Sequence, residues 1–93
     1  MDVLLEELPL EARTTLDRLR NKEPPPYPKD GAIFSNREGK HPLKEAGYYR
    51  EYTVQTPETE GRGARRIVMG KNDELYYTDD HYQTFKFIID SLR

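Results

Sequence analysis

The sequence predicts an α+β domain in which one N-terminal helix packs on a twisted antiparallel sheet of about four to five strands. Three observations point there. One helical face near the start is apolar, the second half alternates in short β-branched and aromatic runs, and tight turns separate those runs. A chain of 93 residues is expected to form a single domain spanning 1–93 with a small core. Hydrophobic residues make up 34% and charged residues another 34%, a balance that leans toward disorder. Seven Tyr and three Phe argue instead for a packed core rich in aromatics.

The helix is expected over 9–20. Leu8, Ala12, Leu16 and Leu19 line one face. Pro9 suits a first turn, where its missing N–H costs nothing. Glu11 lies near the positive end of the helix dipole, and Arg18 and Arg20 near the negative end. Asn21 is the stop, and Pro24, Pro25 and Pro26 cannot continue a helix. Residues 21–32 read as a proline-rich loop over the core rather than a rigid spacer, with a turn at Asp30-Gly31. Strands are expected at 32–34, 48–56, 65–69, 74–78 and 83–89, the last of which also allows a short helix.

Several function classes are excluded. Cysteine is absent, so there are no disulfides, thiolate zinc sites or thiol nucleophiles. No apolar run approaches the ~18 residues needed to span a membrane. The opening MDVLLEELPL has no basic start and no long apolar stretch, so no secretory leader is expected there. A formal net charge of −2 is not that of a basic nucleic-acid coat, and binding to phosphate must come from a local cluster.

Such a cluster is present. Arg62, Arg65 and Arg66 lie together, and Glu51 sits in mid-strand, where glutamate is depleted. On alternation Glu51 shares a face with Tyr49 and Thr53, Arg66 shares one with Val68, and Arg65 points away. His81 follows Asp79-Asp80 and precedes Tyr82, whereas His41, in a lysine-flanked loop, is expected to be solvated. A carboxylate, an imidazole and guanidiniums together suit phosphodiester chemistry, with a proton acceptor, a proton donor and cations for the growing charge. The alternative from the residues alone is that Glu51 pairs with an arginine across the sheet.

Three blocks in order, Ile33-Phe34-Ser35-Asn36-Arg37-Glu38-Gly39-Lys40, Tyr48-Tyr49-Arg50-Glu51-Tyr52-Thr53-Val54 and Asp80-His81-Tyr82-Gln83-Thr84-Phe85, closely resemble the microbial guanyl-specific ribonucleases. The first and last are similar to the barnase type. The length, the Leu8-Pro9 helix start and the stretch Arg62-Gly63-Ala64-Arg65-Arg66-Ile67 look closer to the ribonuclease Sa branch. The resemblance runs from about Leu8 to the C-terminus. It implies an endoribonuclease that cuts single-stranded RNA after guanosine, without cofactor or metal, through a 2′,3′-cyclic phosphate that is then slowly hydrolysed. Residue by residue, it implies that Glu51 is the general base and His81 the general acid. Arg62 and Arg66 would hold the phosphate. Phe34, Ser35, Asn36, Arg37, Glu38 and Tyr82 would read guanine. A carboxylate near about 4 and a histidine near about 6.5 leave a pH window in which both are correctly protonated.

The resemblance further implies a secreted monomer, with a barstar-like inhibitor as a possible protein partner; whether it is a digestive enzyme or a delivered toxin stays open. Two departures stand out. Leu4 and Leu92 fall where the Sa branch has its disulfide, so an apolar contact is expected there. Lys29 replaces a neutral glutamine near the phosphate, where a cation could touch substrate. A non-catalytic RNA-binding or protein-interaction module that keeps the fold is the alternative reading.

Overall fold

The apolar stripe of the helix is buried as its spacing dictates. In the computed structural model, which describes residues 2–89, α1 (Leu10–Arg20) follows Pro9. The Pro9 carbonyl accepts from the N–H groups of Ala12 and Arg13 at 3.0 and 3.2 Å. Ala12 and Leu16 are buried and Leu19 is partly so. Asn21 closes the helix by donating its N–H to the Asp17 carbonyl at 3.0 Å. Glu11 lies in the first turn, and its carboxylate also meets Arg65 at 3.2 Å, tying the helix start to the sheet.

The strands are β1 (Asp2–Leu4), β2 (Ala32–Phe34), β3 (Tyr49–Thr53), β4 (Arg66–Gly70), β5 (Leu75–Thr78) and β6 (Lys86–Ile89), in sheet order β1-β6-β5-β4-β3-β2. β2 through β6 form the expected antiparallel succession, and β1 adds a sixth strand that runs parallel to β6. Asp2–Leu4 is too short and too acidic nearby to show alternation; it becomes a strand by pairing with the far end of the chain. β6 is shorter than expected because residues before it are held in a turn. The Asp80 carboxylate accepts from the Thr84 N–H at 2.9 Å, from the Thr84 hydroxyl at 2.5 Å and from the Thr78 hydroxyl at 2.8 Å. Among the described residues no helix is long and apolar enough to cross a membrane. Leu4 is partly exposed, and its expected contact with Leu92 lies outside the described residues.

Register decides which side chains meet. Glu51 opposes Val68, which opposes Tyr76; Thr53 opposes Arg66, which opposes Thr78. Directly opposed residues project from the same side of a sheet, so Glu51, Thr53, Arg66 and Thr78 share one face. Ile67 and Tyr77 project from the other face and pack with Leu8, Ala12, Leu16, Val54 and Ile88. The Glu51 face carries its own cluster, in which Tyr48, Tyr49 and Val68 are joined by Phe34, Tyr76, Tyr82 and Phe85. The helix thus packs against one side and leaves the other to aromatic loops around a polar centre.

Candidate active site

The polar centre is built from the strand ends upward. Glu51 on β3 and Arg66 on β4 stand one residue pair apart on the shared face. Arg66 is buried, at 3% exposure. One Nη of Arg66 donates to the carbonyls of Gly63 and Arg65 at 3.0 and 2.7 Å, which fixes the plane of its guanidinium. Gly63 has φ +66°, and a Cβ there would fall 2.6 Å from the Thr56 hydroxyl, so this tight turn needs glycine. Arg62 enters from the same loop. Its Nε donates to the Thr53 hydroxyl at 2.9 Å, and its Nη2 lies 3.7 Å from Glu51 and 3.8 Å from Asp30.

Asp30 holds this arrangement from beneath. Its side chain is 2% exposed, and one oxygen accepts from both the backbone N–H and the hydroxyl of Thr53, at 2.8 and 2.7 Å. Two buried donors, Nη2 of Arg62 and Nε of Arg66, find no hydrogen-bond partner among the described residues. Buried unsatisfied donors are costly, on the order of 1–3 kcal/mol each and more when charged. Two of them on neighbouring cations beside a carboxylate make a place for an anion's oxygens.

Tyr82 joins this centre. Burial, then the charge and hydrogen bond of Glu51, push its phenol up to about 12, against the pull of Arg66. A phenol so placed stays protonated beside the Glu51 carboxylate. His81 precedes it, exposed, with ring centroids 4.8 Å apart. Both residues have positive φ, 55° and 73°, a conformation that non-glycine residues adopt at a cost. The turn is held by the His81 N–H on the Ala64 carbonyl at 3.0 Å and the Tyr82 N–H on the Thr78 hydroxyl at 3.2 Å. Hydrogen bonds from the Thr84 hydroxyl and N–H, then from Thr78, bring the Asp80 carboxyl down to about 2. Glu51, Arg62 and Arg66 therefore meet on one face of the sheet, and His81 precedes the tyrosine that reaches Glu51.

A second site adjoins it. The chain leaves β2 at Phe34 and turns at Asn36, whose φ is 56°. The Asn36 side-chain amide donates to the His41 carbonyl at 3.0 Å, and its oxygen accepts from the His41 N–H at 3.2 Å, closing the loop as a strand pair would. A pocket of about 190 Å³ opens here, lined by 34–38 and Tyr82, the six residues assigned to base reading, together with Lys40 and Phe85. The rings of Phe34 and Tyr82 pack 5.3 Å apart at 32°. The Glu38 carboxylate is exposed and lies 3.4 Å from Lys40.

One sequence expectation shifts. His41 is not solvated; it is 4% exposed, with ring centroids 4.0 Å from Tyr76 and 4.3 Å from Phe85. Burial, reinforced by Lys40, lowers its pKa to about 4. The flanking lysines misled, because the Asn36 bracket turns the His41 ring inward while Lys40 reaches elsewhere. Lys29 is exposed, next to Asp30 in the chain. Asp30, Thr53, Lys40 and Phe85 are additions to the assigned roles; in the sequence Asp30 reads as a turn, Thr53 as a neighbour of Glu51 on one face, and Lys40 and Phe85 as members of the family blocks.

A ribonuclease family model matches residues 2–88. Guanyl-specific ribonuclease St of Saccharopolyspora erythraea is 49% identical over 87 residues, covering 94% of this chain and 86% of that protein. Guanyl-specific ribonuclease Sa of Kitasatospora aureofaciens is also 49% identical over 87 residues, covering 92% and 91%. Among solved structures, ribonuclease Sa2 in complexes with mononucleotides superposes with a TM-score of 0.93 at 45% identity, covering 95% of this chain and 92% of that one. Ribonuclease Sa2 with guanosine-2′-cyclophosphate gives a TM-score of 0.93 at 44% identity, covering 97% of both chains. The shared fold and nearly half-identical sequence over almost the whole length mean that this chain belongs to the microbial guanyl-specific ribonuclease family.

Proposed function

We propose that the chain is an endoribonuclease that cuts single-stranded RNA on the 3′ side of guanosine by transesterification. The observation that carries this is the pair of unsatisfied buried guanidinium donors beside Glu51, next to a pocket that shares Tyr82 with them. Glu51 takes the proton of the ribose 2′-hydroxyl, and the freed oxygen attacks the adjacent phosphorus. Arg62 and Arg66 hold the phosphoryl oxygens as their charge grows, which is where fixed cations lower a barrier most. His81 protonates the departing 5′-oxygen. The products are a 2′,3′-cyclic phosphate and a 5′-hydroxyl. Slower hydrolysis runs the proton transfers in reverse and leaves a 3′-phosphate. DNA lacks the nucleophile and does not react.

Guanine is read in the pocket over 34–38. The Glu38 carboxylate accepts from the ring N–H and the exocyclic amine, and backbone N–H groups of Asn36 and Arg37 meet the base oxygen and ring nitrogen. Ser35 shapes the wall between them. Adenine reverses donor and acceptor on that edge and leaves polar groups unpaired. Phe34 and Tyr82 face the base, and such stacking is worth ~1–3 kcal/mol per base. Lys29, exposed near the Asp30 network, adds a cation within reach of the RNA backbone.

The family membership supports a secreted, monomeric enzyme. The arginine-lined cleft suits a protein inhibitor that presents carboxylates in place of phosphate, as a barstar-like partner would.

The test is turnover of guanosine- and adenosine-containing dinucleotides in EDTA. Cleavage of the first to a cyclic phosphate, persisting in chelator, is expected. Glu51→Ala should lower kcat/KM by about 10²–10⁴, the range for a general base. A change within twofold removes Glu51 from that role.

A further inference from the structure

The loop that carries Glu38 and the turn that carries His81 are far apart in sequence, and one side chain bridges them. The Lys40 ammonium donates to the carbonyls of Tyr82 and Gln83, at 2.9 and 2.5 Å, and lies 3.4 Å from the Glu38 carboxylate. An ammonium has three donors and no acceptor, so these contacts use all of them. We propose that Lys40 is a positioning residue that clamps the base-reading loop onto the acid-bearing turn, so that guanine discrimination depends on it. This rests on the roles of Glu38 and His81 proposed above.

The geometry favours position over stability. The Glu38–Lys40 pair is exposed on the Glu38 side, 73% against 32% for Lys40, and exposed pairs contribute little to folding. What the contact does is restrict where the Glu38 carboxylate points, leaving its other acceptor sites for the base. On the other side Lys40 satisfies two carbonyls at the end of the positive-φ pair His81-Tyr82. A strained turn persists only when its surroundings over-determine it. The other hydrogen bonds on that turn come from Thr78 of β5, the Ala64 carbonyl of the arginine loop and Asp80 within the turn itself. Lys40 is the hydrogen-bonded link to the base loop, beside the ring contacts of Phe34 with Tyr82 and of His41 with Phe85. Lys40 and Tyr82 also line the same pocket, so a base entering it touches both ends of the clamp.

The experiment compares wild type, Lys40→Met, Lys40→Gln and Lys40→Arg on the two dinucleotides, with amide hydrogen exchange on the same proteins. In Lys40→Met the guanosine-over-adenosine ratio of kcat/KM should fall about tenfold, chiefly through KM for the guanosine substrate. Lys40→Gln should fall between, and Lys40→Arg should recover most of the ratio. Amides of 82–84 and of 36–39 should exchange faster together. In a Glu38→Gln background the same change should leave the ratio where Glu38→Gln alone puts it. A ratio within twofold of wild type in Lys40→Met, or an undiminished drop in the Glu38→Gln background, overturns the clamp. Failure of the wild type to cleave either dinucleotide instead sinks the proposed reaction. The clamp is then judged by exchange, and unchanged protection at 82–84 overturns it.

Discussion

At the scale of single residues, Asp30 shows how a buried carboxylate organises a site it does not enter. One of its oxygens serves two donors of Thr53, and Thr53 in turn receives Arg62. Hydrogen bonds to an ionised group are worth ~1.5–3 kcal/mol each in net terms, and losing the acceptor leaves buried donors unpaired. Asp30→Ala is expected to destabilise by about 3 kcal/mol in urea unfolding. It should also lower kcat/KM, because Arg62 loses the hydroxyl that aims it. Asp30→Ala with unaltered stability would show that the network is dispensable. In the sequence this residue is legible as part of a turn, since Asp-Gly is a turn signal whatever the aspartate does. That it also points inward follows from β3 lying alongside, as the Gly31 N–H on the Glu51 carbonyl at 2.8 Å records.

At the scale of elements, the helix is the part that local pattern specifies best. Leu16 is 1% exposed and packs against Val54, Ile67 and Tyr77 on the far side of the sheet from Glu51. Leu16→Ala is expected to cost 2–5 kcal/mol, the range for a large-to-small change in a core. At a temperature where the variant stays folded, KM for a guanosine dinucleotide should change little, because the sheet separates this cluster from the cleft. A large KM change with intact folding would mean that the two faces are coupled. The loops are less legible. The expected strand at 83–89 takes in the end of the turn at 80–84 because Thr84 and Phe85 have β-favouring side chains, whereas the Asp80 carboxylate binds the local N–H and hydroxyl groups and withdraws them from strand pairing.

At the scale of the whole molecule, acid should weaken the fold in two stages. His41 titrates near 6.5 when unfolded and near about 4 when folded. Between those values the unfolded chain binds the extra proton, so stability falls as pH falls from 6.5 to 4 and this contribution is fully lost below. The loss is on the order of 3 kcal/mol. Asp80, normally near 3.8 and about 2 in the fold, keeps its contribution above its unfolded value and loses it as pH falls on toward 2. Replacing His41 with Leu should flatten the first stage and leave the second, as measured by thermal melting across pH 3–7. An unchanged slope between pH 6.5 and 4 in His41→Leu would assign that stage to other groups.

Local order along the chain is enough to specify the helix, the strand-rich second half and the three blocks that mark the family. These are carried by spacing along the chain, which 3.6-residue and two-residue periodicities make visible. It also puts five of the six base-pocket residues in one run, 34–38, while folding alone brings Tyr82 to them. Tertiary structure alone decided that Glu51 and Arg66 share a face, that β1 closes the edge beside β6, that His41 lies inside an aromatic shell and that Lys40 reaches the turn after His81. The reason is physical. Register, burial and a long cation's reach depend on segments distant along the chain, and a one-residue slip of β4 against β3 would send Arg66 to the helix side while leaving every local pattern intact.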